Sequence, residues 1–215
     1  WMTVTTTTIA QSDGDYVVIT PETVDQLVLL NTFGRGAVSD IAYWDDTTAI
    51  ATSRGIWLYD NANFFDEPRL FKPYDSPILA LAYHPTDHVL AIGMADARIA
   101  LWDIAGEKLI RWLGGEVDKI QCMTISPDGQ RIGILTDEAL EVRDIVTNDL
   151  ITSIKESNNY SYTCPIHFSA DNTFIFGASQ YTPLAFNITT DEVITSPNYF
   201  SSARSFAYNP DMRHI

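Results

Sequence analysis

Histidines and cysteines are the residues of this sequence whose types could support metal binding or nucleophilic catalysis. The chain contains six of them: His84, His88, His167, His214, Cys122 and Cys164. No Cys-x-x-Cys pair occurs, no histidine stands at zinc-ligand spacing, and no Ser-His-Asp or Cys-His arrangement is evident. The sequence therefore predicts no metal site, no cofactor and no catalytic residue.

The charge balance restricts the partners that the chain can bind. The 215 residues include 13 Lys or Arg and 28 Asp or Glu, which gives a formal net charge of -15. This charge repels phosphate backbones and anionic lipid surfaces, so we expect no nucleic-acid partner. A basic protein or peptide is compatible with it, and a second interpretation is that the acidic excess only keeps the chain in solution. No segment approaches the roughly 18 apolar residues of a membrane span.

An internal repeat of about 40 residues is the strongest signal in the chain. The segment at 42–60 aligns with those at 82–103, 124–144 and 167–187, and a fifth copy begins at 206–215. Two landmarks keep the same period. The first turn position of each copy is Trp44, His84, Ser126, Ser169 and Asn209, and the end of each third strand is Asp60, Asp103, Asp144 and Asn187. A period of this length is typical of propeller blades.

Each copy contains four short alternating or apolar segments that we interpret as β-strands. The turn between the first two strands is clearest at Pro127-Asp128-Gly129, where proline presets φ and glycine accepts a positive φ. Trp102-Asp103 closes a third strand in "RIALWD" at 98–103. Trp102 is expected to pack in the core, and Asp103 to organise the turn into the fourth strand. Trp57 is expected to lie one position out of register with Trp102. Helical periodicity is almost absent, so the chain is predicted to be all-β.

The repeat resembles the WD-repeat β-propeller family, in which each copy forms one four-stranded antiparallel blade. The resemblance rests on "SPDG" at 126–129, "LWD" at 101–103 and "LYD" at 58–60, and 19–43 is similar to bacterial members. It implies a propeller domain over 16–215 with blades at about 37–73, 77–115, 119–157 and 162–200. A closing N-terminal strand at about 24–33 and a truncated blade at 203–215 would leave the ring incomplete. We therefore expect a fragment of a longer protein.

The N-terminal segment and the cysteines give two further expectations. Residues 1–15 are predicted to be a flexible leader or an export-signal remnant, and an extracytoplasmic location is favoured over a cytoplasmic one. Cys122 and Cys164 fall in the first strands of consecutive blades, but Cys164 aligns with Gln121. Strict alternation would place the two thiols on opposite faces, so we predict buried free thiols and no disulfide.

The family's usual polar network is incomplete in this sequence. No Gly-His pair precedes a first strand, and only Asp96, with Asp137 more loosely, matches the family's loop aspartate. The resemblance therefore implies that the blades depend mainly on apolar packing.

Binding is expected at the loops that join second to third strands and fourth to first strands, because most such propellers bind there. These loops are rich in acids and tyrosines, a fair composition for an interface. The candidate residues are Arg35, Arg54, Tyr74, Asp75, Asp96, Glu116, Asp118, Asp137, Glu138, Tyr160, Tyr162, Gln180 and Tyr181.

The sequence thus favours a non-enzymatic scaffold that binds a protein or peptide. The alternative is a ligand-binding or catalytic propeller, a hydrolase or oxidoreductase, with its site at the central channel or in a missing part of the chain. Such a site would place carboxylates or histidines at the starts of the first strands. Those positions hold Val38, Ile78, Ile120, Thr163 and Ala203.

Overall fold

The computed structural model describes residues 34–113, 119–155, 162–179 and 183–195. These residues form four antiparallel sheets of four strands, each built from strands consecutive in the chain and arranged as the blades of a β-propeller. The prediction of an all-β chain of four-stranded blades is confirmed. The leader at 1–15, the closing strand at 24–33 and the truncated blade at 203–215 lie outside the described residues.

The strand bounds follow the sequence repeat. Blade 1 contains β1 (Val38–Trp44), β2 (Thr47–Thr52), β3 (Gly55–Asp60) and β4 (Arg69–Phe71); blade 2 contains β5 (Ile78–Tyr83), β6 (Val89–Met94), β7 (Ile99–Asp103) and β8 (Lys108–Leu113). Blade 3 contains β9 (Ile120–Ile125), β10 (Arg131–Thr136), β11 (Ala139–Asp144) and β12 (Leu150–Lys155). Blade 4 contains β13 (Tyr162–Phe168), β14 (Phe174–Ser179), β15 (Pro183–Asn187) and β16 (Val193–Thr195). A 3-10 turn at Asn61–Asn63 follows β3.

Apolar side chains between neighbouring blades form the core. Ile56 and Leu58 of blade 1 share a buried cluster with Leu90 and Ile92 of blade 2. A second cluster joins blades 2 and 3, and a third joins blades 3 and 4. The β6 and β10 strands supply small and aliphatic residues to both faces, because each lies inside its sheet and its blade has a neighbouring blade on both sides.

Trp102 lies in the interface between blades 1 and 2, where its ring contacts Phe71 at a centroid distance of 5.2 Å. The expectation for Trp57 was wrong. Across the second and third strands of their blades, Trp57 pairs with Ile50 and Trp102 pairs with Leu90. Tyr59 therefore occupies in blade 1 the position that Trp102 occupies in blade 2, and Trp57 lies two residues before that position. Since side chains two apart on a strand share a face, Trp57 points to the same side as that position. It is buried, and its Nε1 donates to the Arg35 carbonyl at 2.8 Å.

Polar contacts connect successive blades at the turns between their first and second strands. Trp44 Nε1 donates to the Pro85 carbonyl at 3.2 Å, and His84 Nε2 lies 3.0 Å from the carbonyl oxygen of Gly129. Gly129 has φ +71°, and a Cβ added there would collide with the His84 ring, so only glycine fits this turn without rearrangement. Arg131 continues the series by donating to the Asn172 carbonyl at 2.9 Å.

The prediction of free thiols was also wrong, because Cys122 and Cys164 form a disulfide with a Cα–Cα distance of 6.1 Å. The error lies in the assumption of strict alternation. Cys122 pairs with Leu135 but Ile120 pairs with Thr136, which leaves Gln121 as an extra residue in β9. The register of β13 also shifts between Thr163 and His167, around Cys164. These two irregularities let side chains on neighbouring first strands meet, since a bulge redirects the side chains beside it.

The same capping position recurs at the end of the third strands. Asp103 Oδ1 accepts from the Gly106 N–H at 2.8 Å, Asp144 Oδ1 from the N–H groups of Val146 and Thr147 at 2.8 and 2.7 Å, and Asn187 Oδ1 from that of Thr189 at 2.9 Å. These bonds form Asx turns that start the connection to the outer strand. The backbone N–H of Thr147, followed by that of Val146, lowers the pKa of Asp144 below its ordinary value.

Substitution of Cys122 by Ser should destabilise the fold, because the disulfide closes a segment with a sequence separation of 42 residues. The chain-entropy model gives about 4 kcal/mol for a loop of this length, which is an upper figure for the loss of unfolding free energy. Chemical denaturation with and without reductant measures it. Reductant should destabilise the wild type and leave C122S unchanged. Two alkylatable thiols in unreduced, unfolded protein would contradict the disulfide.

Substitution of Asp144 by Ala should lower Tm at neutral pH, whereas D144N should lower it less, because Asn187 fills the same position in blade 4. The lowered folded-state pKa means that the ionised carboxylate stabilises the fold above the unfolded-state pKa of about 3.9. That contribution is lost as pH falls through the folded-state pKa. Acidification should therefore narrow the Tm difference between wild type and D144N. A difference that grows as pH falls would contradict this role.

Candidate functional site

The loop face is the end of the blades formed by the connections at 53–54, 72–77, 95–98 and 137–138. Six of the candidate residues are described in these connections: Arg54, Tyr74, Asp75, Asp96, Asp137 and Glu138. Glu116, Asp118, Tyr160, Gln180 and Tyr181 lie outside the described residues. Of Tyr162 only the backbone is described, as the first residue of β13.

An aromatic patch occupies the loop face of blade 2, and we call it the Trp112 patch. It consists of Tyr74, Asp96, Arg98 and Trp112. The Tyr74 and Trp112 ring centroids are 5.1 Å apart, and the Arg98 guanidinium carbon lies 4.8 Å from the Trp112 ring centroid. Trp112 is 39% exposed, so a large aromatic surface faces solvent while two neighbours fix its position.

Asp96 holds the cation of the Trp112 patch in place. Its Oδ2 accepts from Arg98 Nε at 2.9 Å and from Nη2 at 2.6 Å. The hydrogen bond from the Arg98 side chain lowers the pKa of Asp96, and the same bond raises the pKa of Arg98. Both groups are therefore charged near neutral pH. The pair orients the planar guanidinium over the indole, which preorganises the patch.

Tyr74 packs on the buried side of the Trp112 patch. Its ring is half-buried and also contacts Trp102 edge-on at 5.9 Å. The hydroxyl is buried and has no hydrogen-bond partner among the described residues, and burial raises the pKa of Tyr74. The neighbouring Asp75 side chain is instead fully exposed and pairs with Lys72 at 3.1 Å. Tyr74 therefore contributes packing, and Trp112 and Asp75 provide the accessible surface.

The incomplete polar network that the sequence implies can be compared with these contacts. Asp96 bonds to Arg98, while Trp102 Nε1 is buried and has no hydrogen-bond partner within the described part of the chain. Leu90, which pairs with Trp102 across β6 and β7, offers no hydroxyl. The indole is consequently held by ring contacts with Phe71 and Tyr74.

Arg35 and Arg54 lie on blade 1 and form a separate group around Trp57. Their guanidinium carbons are 5.2 and 5.9 Å from the Trp57 ring centroid. Arg35 also donates from Nη1 to the Tyr59 hydroxyl at 2.7 Å and pairs with Glu67 at 3.3 Å. Arg35 therefore extends along β3 and covers Trp57 and Tyr59.

Asp137 and Glu138 occupy the corresponding connection of blade 3, where both are exposed. Asp137 accepts from Gln121 Nε2 at 2.9 Å. The buried Thr136 hydroxyl stabilises this turn by donating a hydrogen bond to the Ala139 carbonyl at 3.0 Å. These two acids add negative charge to the loop face of the blade next to the Trp112 patch.

Sequence reasoning missed Arg98 and Trp112. Arg98 stands two residues after Asp96, which is a visible signal for a turn-spanning ion pair. Trp112 carried no comparable signal, because its place depends on the pairing of β8 with β7. Trp112 pairs with Ala100, close to the loop end of β7, after a register shift between Leu101 and Trp102.

A catalytic channel would need carboxylates or histidines at the starts of the first strands. Where these positions are described, they hold aliphatic residues. Ile78 and Ile120 are buried, and Val38 is exposed. Of Thr163 only the backbone is described, and Ala203 lies outside the described residues. Within the described ranges, no group of three or more His, Cys, Asp or Glu could hold a metal ion. The same ranges contain no helix of the length and apolarity that a membrane crossing requires.

Comparison with known proteins supports the interpretation of the repeat. Residues 67–103 match the family model described as "WD domain, G-beta repeat". The chain is 23% identical over 176 residues to the APC/C activator protein CDH1 of Saccharomyces cerevisiae, which covers 79% of this chain and 30% of that protein. It is 42% identical over 53 residues to protein groucho of Drosophila melanogaster, covering 25% of this chain and 7% of that protein.

A third relative is the uncharacterized WD repeat-containing protein C25H1.08c of Schizosaccharomyces pombe, with 30% identity over 81 residues. That alignment covers 38% of this chain and 20% of the relative. The chain thus spans less than a third of the length of each of these curated relatives. The matched repeat at 67–103, the similarity to these relatives and the four four-stranded propeller blades agree with the resemblance to WD-repeat propellers drawn from the sequence.

Proposed function

We propose that this chain is a non-enzymatic scaffold that binds a protein or peptide through its loop face, with Trp112 at the centre of the contact. The observation that carries the proposal is the Trp112 patch. The partly exposed Trp112 indole contacts both Arg98 and Tyr74, and these contacts fix its position in the chain alone. Preorganised Trp, Tyr and Arg side chains are the residue types that dominate binding energy at protein interfaces.

The family relationship supports the same role. The yeast relative is named as an activator of the APC/C, a role carried out on another assembly. Propellers that share this fold can differ in function, so the site rather than the fold must carry the assignment. In this chain the site offers aromatic area bordered by the exposed carboxylate of Asp75, and blade 3 adds Asp137 and Glu138.

The net charge of -15 favours a basic partner for this surface. Opposite charges speed association and discriminate against acidic competitors, while the buried aromatic contact sets the dissociation rate. The same charge disfavours nucleic acid.

The Cys122–Cys164 disulfide supports the extracytoplasmic location favoured from the N-terminal sequence. Disulfides persist in oxidising compartments and are rare where glutathione and thioredoxin keep thiols reduced. Alkylation of the protein directly on cell lysis, followed by mass spectrometry, should recover the disulfide-linked peptide pair.

Substitution of Trp112 by Ala should abolish most binding at the loop face. Peptides selected on the wild-type protein from a displayed random library should lose about tenfold or more in affinity, a change of about 1.4 kcal/mol, when titrated against W112A. Leu150→Ala is the matched control, because Leu150 is an exposed apolar residue at the start of β12, at the other end of its blade. Equal peptide affinities for wild type and W112A would contradict the assignment of the loop face as the binding site.

A further inference from the structure

The connection between β3 and β4 in blade 1 departs from the repeat. It spans 61–68, whereas the equivalent connections span 104–107, 145–149 and 188–192. The additional residues include adjacent phenylalanines, Phe64 and Phe65, followed by Asp66 and Glu67. Extra residues on a rigid repeat scaffold commonly carry binding function. This connection lies at the end of the blades opposite the loop face.

Phe65 is fully exposed, and Phe64 is 44% exposed. The Phe64 ring stacks on Tyr59 at a centroid distance of 4.8 Å, and Phe65 contacts Phe64 edge-on at 6.3 Å. An exposed phenylalanine ring gains no stabilisation from removal of its apolar surface from water. The fold therefore presents an apolar surface here that its own described residues leave uncovered.

Hydrogen bonds hold the connection in one conformation. Asp60 accepts from the Ala62 N–H at 2.8 Å and from Asn63 Nδ2 at 2.9 Å. Asn61 accepts from the Thr48 hydroxyl at 2.6 Å and donates to the Asp45 carbonyl at 2.8 Å, which fixes the connection to the β1–β2 turn. The phenylalanines are therefore presented from a fixed base, which lowers the entropy lost on binding.

An open cavity of about 390 Å³ adjoins this connection. Four carboxylates line it: Asp46, Asp60, Asp66 and Glu67. The one cation among its described lining residues is Arg69, which is already paired with Glu107. Glu67 is paired with Arg35 at 3.3 Å, which leaves Asp46, Asp60 and Asp66 as the carboxylates with no ion pair among the described residues. The side-chain hydrogen bond from Asn63, followed by the Ala62 N–H, lowers the pKa of Asp60, so its carboxylate is ionised near neutral pH. Leu58 and Pro68 add apolar wall to the same cavity.

We propose that this cavity and the exposed Phe65 form a second docking surface, for a short segment of a partner protein that carries a Lys or Arg beside an apolar residue. The basic side chain would enter the carboxylate-lined cavity, where the negative charge exceeds the available positive charge. The apolar neighbour would pack on Phe65. A single exposed ring with an adjacent charged cavity fits such a two-point contact. The surface is separate from the Trp112 patch, since the two lie at opposite ends of the blades.

Fluorescence anisotropy with the full chain and labelled peptides tests this surface. A short peptide of alternating Lys and Leu should bind, with affinity that falls as salt is raised. Peptides of alternating Glu and Leu, and of alternating Lys and Ser, should bind at least tenfold more weakly. F65A and D66K should each reduce affinity for the Lys–Leu peptide about tenfold or more. F65A and D66K should leave unchanged the affinity of the library-selected peptides that W112A weakens, which separates this surface from the loop face.

Blade 3 offers matched controls in the equivalent connection at 145–149. Val146 is 68% exposed and Asp149 is exposed, so V146A and D149K repeat the loss of apolar surface and the change of charge at another position. Both should retain wild-type affinity. Loss of binding in D149K equal to that in D66K would show general attraction to an acidic protein and overturn the proposal. Absence of binding by the Lys–Leu peptide, or a dimer by light scattering that F65A dissolves, would also overturn it.

Discussion

Apolar packing between neighbouring blades is the interaction on which the rest of the structure depends. A four-stranded sheet has two faces, and a blade cannot cover both by itself. Ile92 of blade 2 is fully buried only because blade 1 lies against it, and Ile132 and Ile134 of blade 3 are buried against blade 2 in the same way. Stability is therefore shared along the row of blades.

This packing also explains how the polar features are distributed. Aliphatic side chains fill the interior between the blades, and the connections at the two ends of the blades carry many of the charged groups. At one end, turns are tied from blade to blade through Trp44, His84 and Arg131. At the other end, the connections before and within blade 2 place Tyr74 and Arg98 in contact with the partly exposed Trp112 ring.

The buried polar atoms show where apolar packing has replaced hydrogen bonding. Trp102 Nε1 and the hydroxyls of Tyr74 and Tyr83 lack partners among the described side chains. Burial raises the pKa of the Tyr83 hydroxyl, with the charge of Asp46 acting in the same direction. An unpaired buried donor costs roughly 1–3 kcal/mol. Extensive ring contacts around Trp102 offset part of that cost, and the Cys122–Cys164 disulfide adds a covalent link between blades 3 and 4.

The amino-acid sequence by itself determined the blade. A period of about 40 residues, alternating apolar strands and the capping positions Asp103, Asp144 and Asn187 depend on local spacing, which a one-dimensional pattern records. Tertiary structure decided which side chains meet. The disulfide escaped prediction because β-bulges change the direction of side chains without changing the repeat. Trp112 escaped it because strand register brings Arg98 and Tyr74 to the indole from two different connections. Register and bulges are set by packing between strands and blades, and a sequence pattern read along the chain does not contain them.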